Sequence, residues 1–105
     1  MPEIPTSKVA QIILYGWEMD RAEGELRGFL ETLNEEEHHE LIAIMWIGRD
    51  SFQPEDFDEA VATARAEANT PTADYLLGTP HFADHLEAGM EALDLPIAEA
   101  VDALR

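Results

Sequence analysis

Three groups of residues in this 105-residue chain have the types and spacing that chemistry needs. The first closes the stretch LIAIMWIGRD at residues 41 to 50, where Arg49 and Asp50 follow seven consecutive apolar residues and Gly48. A guanidinium just past the end of a buried element presents a planar fork of donors to an anion, and a neighbouring carboxylate can orient it. Tyr75, which begins a short and weakly amphipathic segment, joins Arg49 and Asp50 as a candidate ligand- or partner-binding residue. The second group is His81 and His85, four apart and so one helical turn from each other, with Asp84 alongside; two imidazoles at that spacing can share a metal ion. The third is EEHHE at residues 36 to 40, where Glu35 and His39, or Glu36 and Glu40, also stand one turn apart.

Each group has a structural explanation that its residue types favour. An Arg at a helix end ordinarily bonds the last carbonyls of that helix, or a carboxylate from a neighbouring segment, and so ties a corner together. His85 falls on an apolar stripe with Phe82 and Leu86, where a hydrogen-bonded core histidine is the ordinary outcome, and His81 belongs to the first turn. A zinc site takes three or four ligands with organised supporting partners. EEHHE instead reads as a solvated helix start that complements the dipole, and it lacks the His-Glu-x-x-His order of zinc proteases. Ser7 and Ser51 sit at caps or corners, no Gly-x-Ser-x-Gly turn exists, and the six glycines form no phosphate-cradling loop. No catalytic residue and no cofactor is implied.

The elements that must position these residues are all helical. Thr6 or Ser7 can cap a first helix with Val9, Ile12, Ile13, Gly16 and Trp17 on one face, running to about Met19. Asp20 with Glu23 resembles a capping box before the stripe Ala22, Leu26, Phe29, Leu30 and Leu33, and Gly24 and Gly28 on that helix suggest close approach by a neighbour. Asn34 with Glu37 repeats the start signal for a third helix whose body is LIAIMWI. Apolar on every side, that helix is expected at the centre, with Gly48 as the left-handed residue that ends it.

Pro54 suits the first turn of a fourth helix carrying Phe57, Ala60, Val61, Ala64 and Ala68, ended by Asn69. Thr70 before Pro71 and Thr79 before Pro80 start two more, the shorter stopped by Gly78. Asp94 opens a last segment with Ile97, Val101 and Leu104 on one side. The expectation is one all-α domain over residues 1–105, a compact bundle of six to seven short helices with no strand.

Two blocks, LIAIMWIGRDSFQPEDFDEAVATA and TADYLLGTPHFADHLEAGMEAL, carry a likeness. Over roughly residues 35 to 93 the chain resembles the bacterial family known as domain of unknown function 3775, in a helix ending with a Gly-Arg step, an acidic helix after it, and a Thr-Ala-x-Tyr-Leu-Leu-Gly segment. The likeness is most specific at Trp46 to Asp50 and Thr72 to Pro80. It implies a compact helical fold and no particular chemistry.

Charge narrows the partners. Six Lys and Arg against 23 Asp and Glu give a net charge of −17. Six scattered cations cannot build the patch that phosphates require, so nucleic acid and anionic membrane are not expected as direct partners. A basic protein surface, a cationic ligand or a divalent metal would be steered inward by the same field. The absence of cysteine removes disulfides, thiolate metal sites and a Cys nucleophile. With no leader-like start and no apolar run near the ~20 residues that span a bilayer, the chain is expected to be cytoplasmic. The leading functional expectation is a non-catalytic module that binds a protein partner. A small-ligand or metal-binding domain built on Arg49, Asp50 and Tyr75, or on His81 and His85, is the alternative. An acidic mimic of nucleic acid is a third reading, and it predicts carboxylates in rows along an elongated face.

Overall fold

The apolar run at residues 41 to 47 is helical, as its length and start signal require. The computed structural model describes residues 2–105, and among them the chain forms seven α-helices and no strand. These are α1 (Thr6–Trp17), α2 (Met19–Glu31), α3 (Glu35–Gly48), α4 (Phe57–Ala66), α5 (Thr72–Leu77), α6 (Phe82–Ala92) and α7 (Ile97–Leu104), with a 3₁₀ turn at Pro54–Asp56 leading into α4. The all-α bundle expected from the spacing is what the chain builds.

The capping box expected at the start of α3 forms. Asn34 Oδ1 accepts the Glu37 N–H at 2.8 Å, and Glu37 Oε1 accepts the Asn34 N–H at 3.0 Å, which closes the capping box. Leu41, Ile42, Ala43, Ile44, Met45, Trp46 and Ile47 are all buried, so α3 is apolar around its full circumference and must be covered on every side. Helix α6 covers it most extensively and α4 next, while α1 lies against α7, α2 and α6. Removing each large aliphatic side chain from water in this way is worth about 1.5–3 kcal/mol.

Contact between α3 and α6 is backbone to backbone. A Cβ on Gly48 would overlap the carbonyl oxygen of His85 and stand 2.8 Å from the Gly89 amide nitrogen; a Cβ on Gly89 would overlap the carbonyl oxygen of Ile44. Gly48 is therefore required for close approach, and the left-handed role expected for it falls to Asp50, at φ 65°. The Asp50 N–H donates to the Ile47 carbonyl at 3.1 Å and the Ser51 N–H to the Trp46 carbonyl at 2.9 Å, a Schellman closure with aspartate in the position glycine usually takes. Helix α6 ends in the same way: Asp94, at φ 61°, donates to Glu91 and Leu95 donates to Met90. Asp94 thus closes α6, where the pattern had it opening the last segment.

Several other starts and stripes differ from expectation, each for a local reason. Helix α1 follows Pro5, whose carbonyl accepts from Lys8 and Val9, and no Thr6 or Ser7 side chain caps it. Asp20 lies inside the first turn of α2 and forms no box with Glu23. Thr79 Oγ1 is taken by the Tyr75 carbonyl at 2.8 Å, so α6 starts after His81, at φ 60°, with no side-chain cap. Gly24 and Gly28 face open space and admit no neighbour. Trp17 is 39% exposed, its indole N–H donating to Asp84 at 3.1 Å and its ring lying 5.4 Å from the Arg105 guanidinium carbon. Helix α4 stops at Ala66, three residues before Asn69, and leaves Ala68 exposed.

The EEHHE turn is only half solvated. Glu35 and Glu36 are exposed, whereas Glu37 and Glu40 are buried. Glu40 accepts the backbone N–H groups of Glu3, at 2.9 and 3.1 Å, and of Ile4, at 2.8 Å, and so fastens the N-terminal segment to the middle of α3.

Candidate functional site

Because α4 ends early, residues 67 to 71 cross as an exposed strap before α5 begins, and a cleft opens beneath it. This cleft has a volume of about 480 Å³ and is lined by Ile42 and Trp46 of α3, Ala64 and Ala66 of α4, Tyr75 of α5, and Glu67 to Thr70 of the strap. Its fixed wall is the Trp46–Tyr75 pair. The Trp46 indole N–H donates to the Tyr75 hydroxyl at 2.8 Å, while Phe52 stacks on Trp46 with ring centroids 5.7 Å apart. An indole nitrogen can only donate, so the Tyr75 oxygen must accept, and its own proton is left to donate elsewhere. Polar residues of the strap, Glu67, Asn69 and Thr70, complete a pocket of the size and mixed character that receives a ligand or an anchoring side chain.

Arg49 and Asp50 are exposed at the far end of α3 and do not line this cleft. The Arg49 Nε–H donates to Ser51 Oγ at 3.0 Å, and no carboxylate lies within ion-pair range of its guanidinium among the described residues. The corner is tied by the Asp50 and Ser51 backbone described above, and the Arg49 side chain meets Ser51 where the last helix carbonyls or a neighbouring carboxylate were the expected partners. Tyr75 is the one member of that sequence-derived set placed in the cleft.

His81 is largely exposed, with Nδ1 3.8 Å from Asp84 Oδ2, and His85 is half-buried on α6. Among the described residues no three His, Asp or Glu side chains converge as metal ligands do. His38 and His39 behave differently. Both are half-buried, and the Nδ1 atom of each is sealed from solvent without a protein hydrogen-bond partner among the described residues. Burial, with His39 adjacent, pushes the His38 imidazole below its ordinary value, against a weaker pull from the Leu33 backbone, Glu37 and Glu35. His38 borders a second concavity of about 440 Å³ with Arg27, Thr72 and Asp74. Arg27 is already engaged there by Glu23 at 3.2 Å and Asp74 at 3.1 Å.

Residues 23–95 match the family model described as a protein of unknown function, DUF3775. The chain belongs to the DUF3775 family. Comparison with the curated proteins and with the solved structures gave no match. The DUF3775 region contains α3 to α6 entire, and with them the cleft, Arg49, Asp50 and all four histidines; Trp17 precedes it. Glu67, Asn69 and Thr70 are cleft residues that no sequence pattern singles out. Their only signal was the Pro71 break after a fading alanine stripe, which marks a loop and says nothing of what lies under it.

Proposed function

We propose that this DUF3775 protein acts by binding another protein, without chemistry of its own, and that a basic segment of the partner seats over the Trp46–Tyr75 cleft. The cleft carries this reading: apolar walls held by an internal hydrogen bond, one acidic residue, Glu67, on the strap, and a free hydroxyl donor, arranged as an anchor pocket is. The charge distribution supports a basic partner. Among the described residues only Glu23, Glu36, Glu37 and Asp74 meet a Lys or Arg, so most of the 23 carboxylates stand unneutralised and their field steers cations inward.

The reading as a nucleic-acid mimic draws less support, since the body measures 33 × 30 × 23 Å and exposed carboxylates occur on α2, α3, α4, α6 and α7. A small-ligand reading is favoured by one observation, the cleft volume, which falls in the range of such pockets. The test is amide chemical-shift mapping with a ten-residue peptide of alternating Lys and Gly at low salt. Saturable shifts confined to residues 42–46 and 64–75, weakening as salt is added, are expected. Shifts spread evenly over all the acidic helices, or none, would refute the reading.

A further inference from the structure

The mouth of the cleft is the negative end of a helix. The Glu67 N–H returns to the Thr63 carbonyl and the Asn69 N–H to that of Glu67. No backbone N–H among the described residues therefore reaches the carbonyls of Ala64, Arg65 and Ala66, the last turn of α4. Ala64 and Ala66 line the cleft, and Glu67 adds a full negative charge beside them. Arg65, the cation nearest in sequence, is turned to α3, where its Nη2 meets both carboxylate oxygens of Glu36 at 2.8 and 3.0 Å. Helix carbonyls, a free carboxylate and an aromatic wall each favour a cation, and here all three border one concavity.

We infer that the cleft takes the side chain of a lysine or arginine supplied by the partner, its charged end between Glu67 and the α4 terminus. The alkyl stem lies along Ile42, Trp46 and Ala68. This rests on the protein-binding reading and narrows it to one residue class. Tyr75 decides between a residue in a peptide and a free amine. Its hydroxyl proton, left over once the oxygen accepts from Trp46, has nothing to meet on an ammonium or guanidinium, whereas a peptide carbonyl beside the inserted side chain accepts it. Acceptors for a cation and a donor for a carbonyl together match a basic residue within a chain.

The chain has two tryptophans, and Trp17→Phe, at an exposed site, leaves Trp46 as the single tryptophan, excited selectively over the two tyrosines at the red edge of absorption. Blocked peptides Gly-Gly-Xaa-Gly-Gly, with Xaa as Arg, Lys, citrulline or norleucine, are titrated into that variant and into the same variant carrying Glu67→Gln. The Arg or Lys peptide is expected to change Trp46 emission saturably and to bind roughly tenfold more tightly than its neutral counterpart, with Glu67→Gln closing most of that gap. Equal binding of the neutral peptides, or a gap untouched by Glu67→Gln, overturns the inference and leaves a protein-binding cleft. If no pentapeptide moves Trp46 but the longer Lys-Gly peptide still shifts residues 64–75, the inference falls alone. If neither peptide binds, both readings fall.

Discussion

Trp46 and Tyr75, 29 positions apart, are joined by a 2.8 Å hydrogen bond that ties the central helix α3 to the six-residue helix α5. Only 7% of Trp46 is exposed, so its indole N–H depends on that one partner. Tyr75→Phe keeps the ring and removes the acceptor. Leaving a nearly buried donor unpaired is expected to lower unfolding stability by about 1–2 kcal/mol, read by urea denaturation. No loss would mean that water reaches the indole through the cleft.

The glycines divide into two classes that alanine scanning separates. Gly48→Ala and Gly89→Ala each drive a methyl into a carbonyl of the facing helix and are expected to cost about 3 kcal/mol, or to prevent folding. Gly24→Ala and Gly28→Ala put a methyl into open space on α2 and are expected to stabilise by about 0.5–1 kcal/mol each. Thermal melts of the four variants give the answer directly.

Asp50 and Asp94 hold left-handed backbone at φ 65° and 61°, where an L side chain is under strain. Replacing either by Gly is expected to raise stability by about 0.5–1 kcal/mol, with additive effects, since each closes a different helix. A loss at Asp50 would point to a contact of its carboxylate beyond the helix closure.

His38 makes stability depend on pH in a definite direction. Its folded-state imidazole is held below the ordinary value near 6.5, so as pH falls through that value the unfolded chain takes up the proton first. Stability from this group is full above the unfolded value and declines as pH drops toward the folded one. The Glu37 carboxyl, held below its usual range by the Asn34 backbone N–H and by Lys8, acts in the same direction, but only below about pH 4.5. His38→Gln should therefore flatten the decline of melting temperature between pH 7 and 5 relative to the native chain. Parallel profiles would contradict it.

Added salt should raise the melting temperature by a few degrees, because few carboxylates are paired and screening relieves their mutual repulsion. A flat or falling response would show that the few ion pairs outweigh the repulsion.

Local patterns in the chain determined the helices, the central place of α3 and the capping box at Asn34, because periodicity, side-chain size and a hydrogen bond across three residues are set within one turn. The same patterns misassigned Gly48, Asp94, Thr79 and Trp17. A glycine after a helix satisfies a left-handed turn and a tight crossing equally well, and only the position of α6 shows which one operates. Spacing places Trp46 in the core, where it lies, and leaves Tyr75 undecided between core and surface; the structure has it partly buried against that core. The cleft between them was illegible, since it is a gap left where α4 stops short of α5. Helix α5 packs on α2 and reaches α3 through the Trp46–Tyr75 bond, so the gap belongs to packing over long sequence separation, which no local spacing encodes.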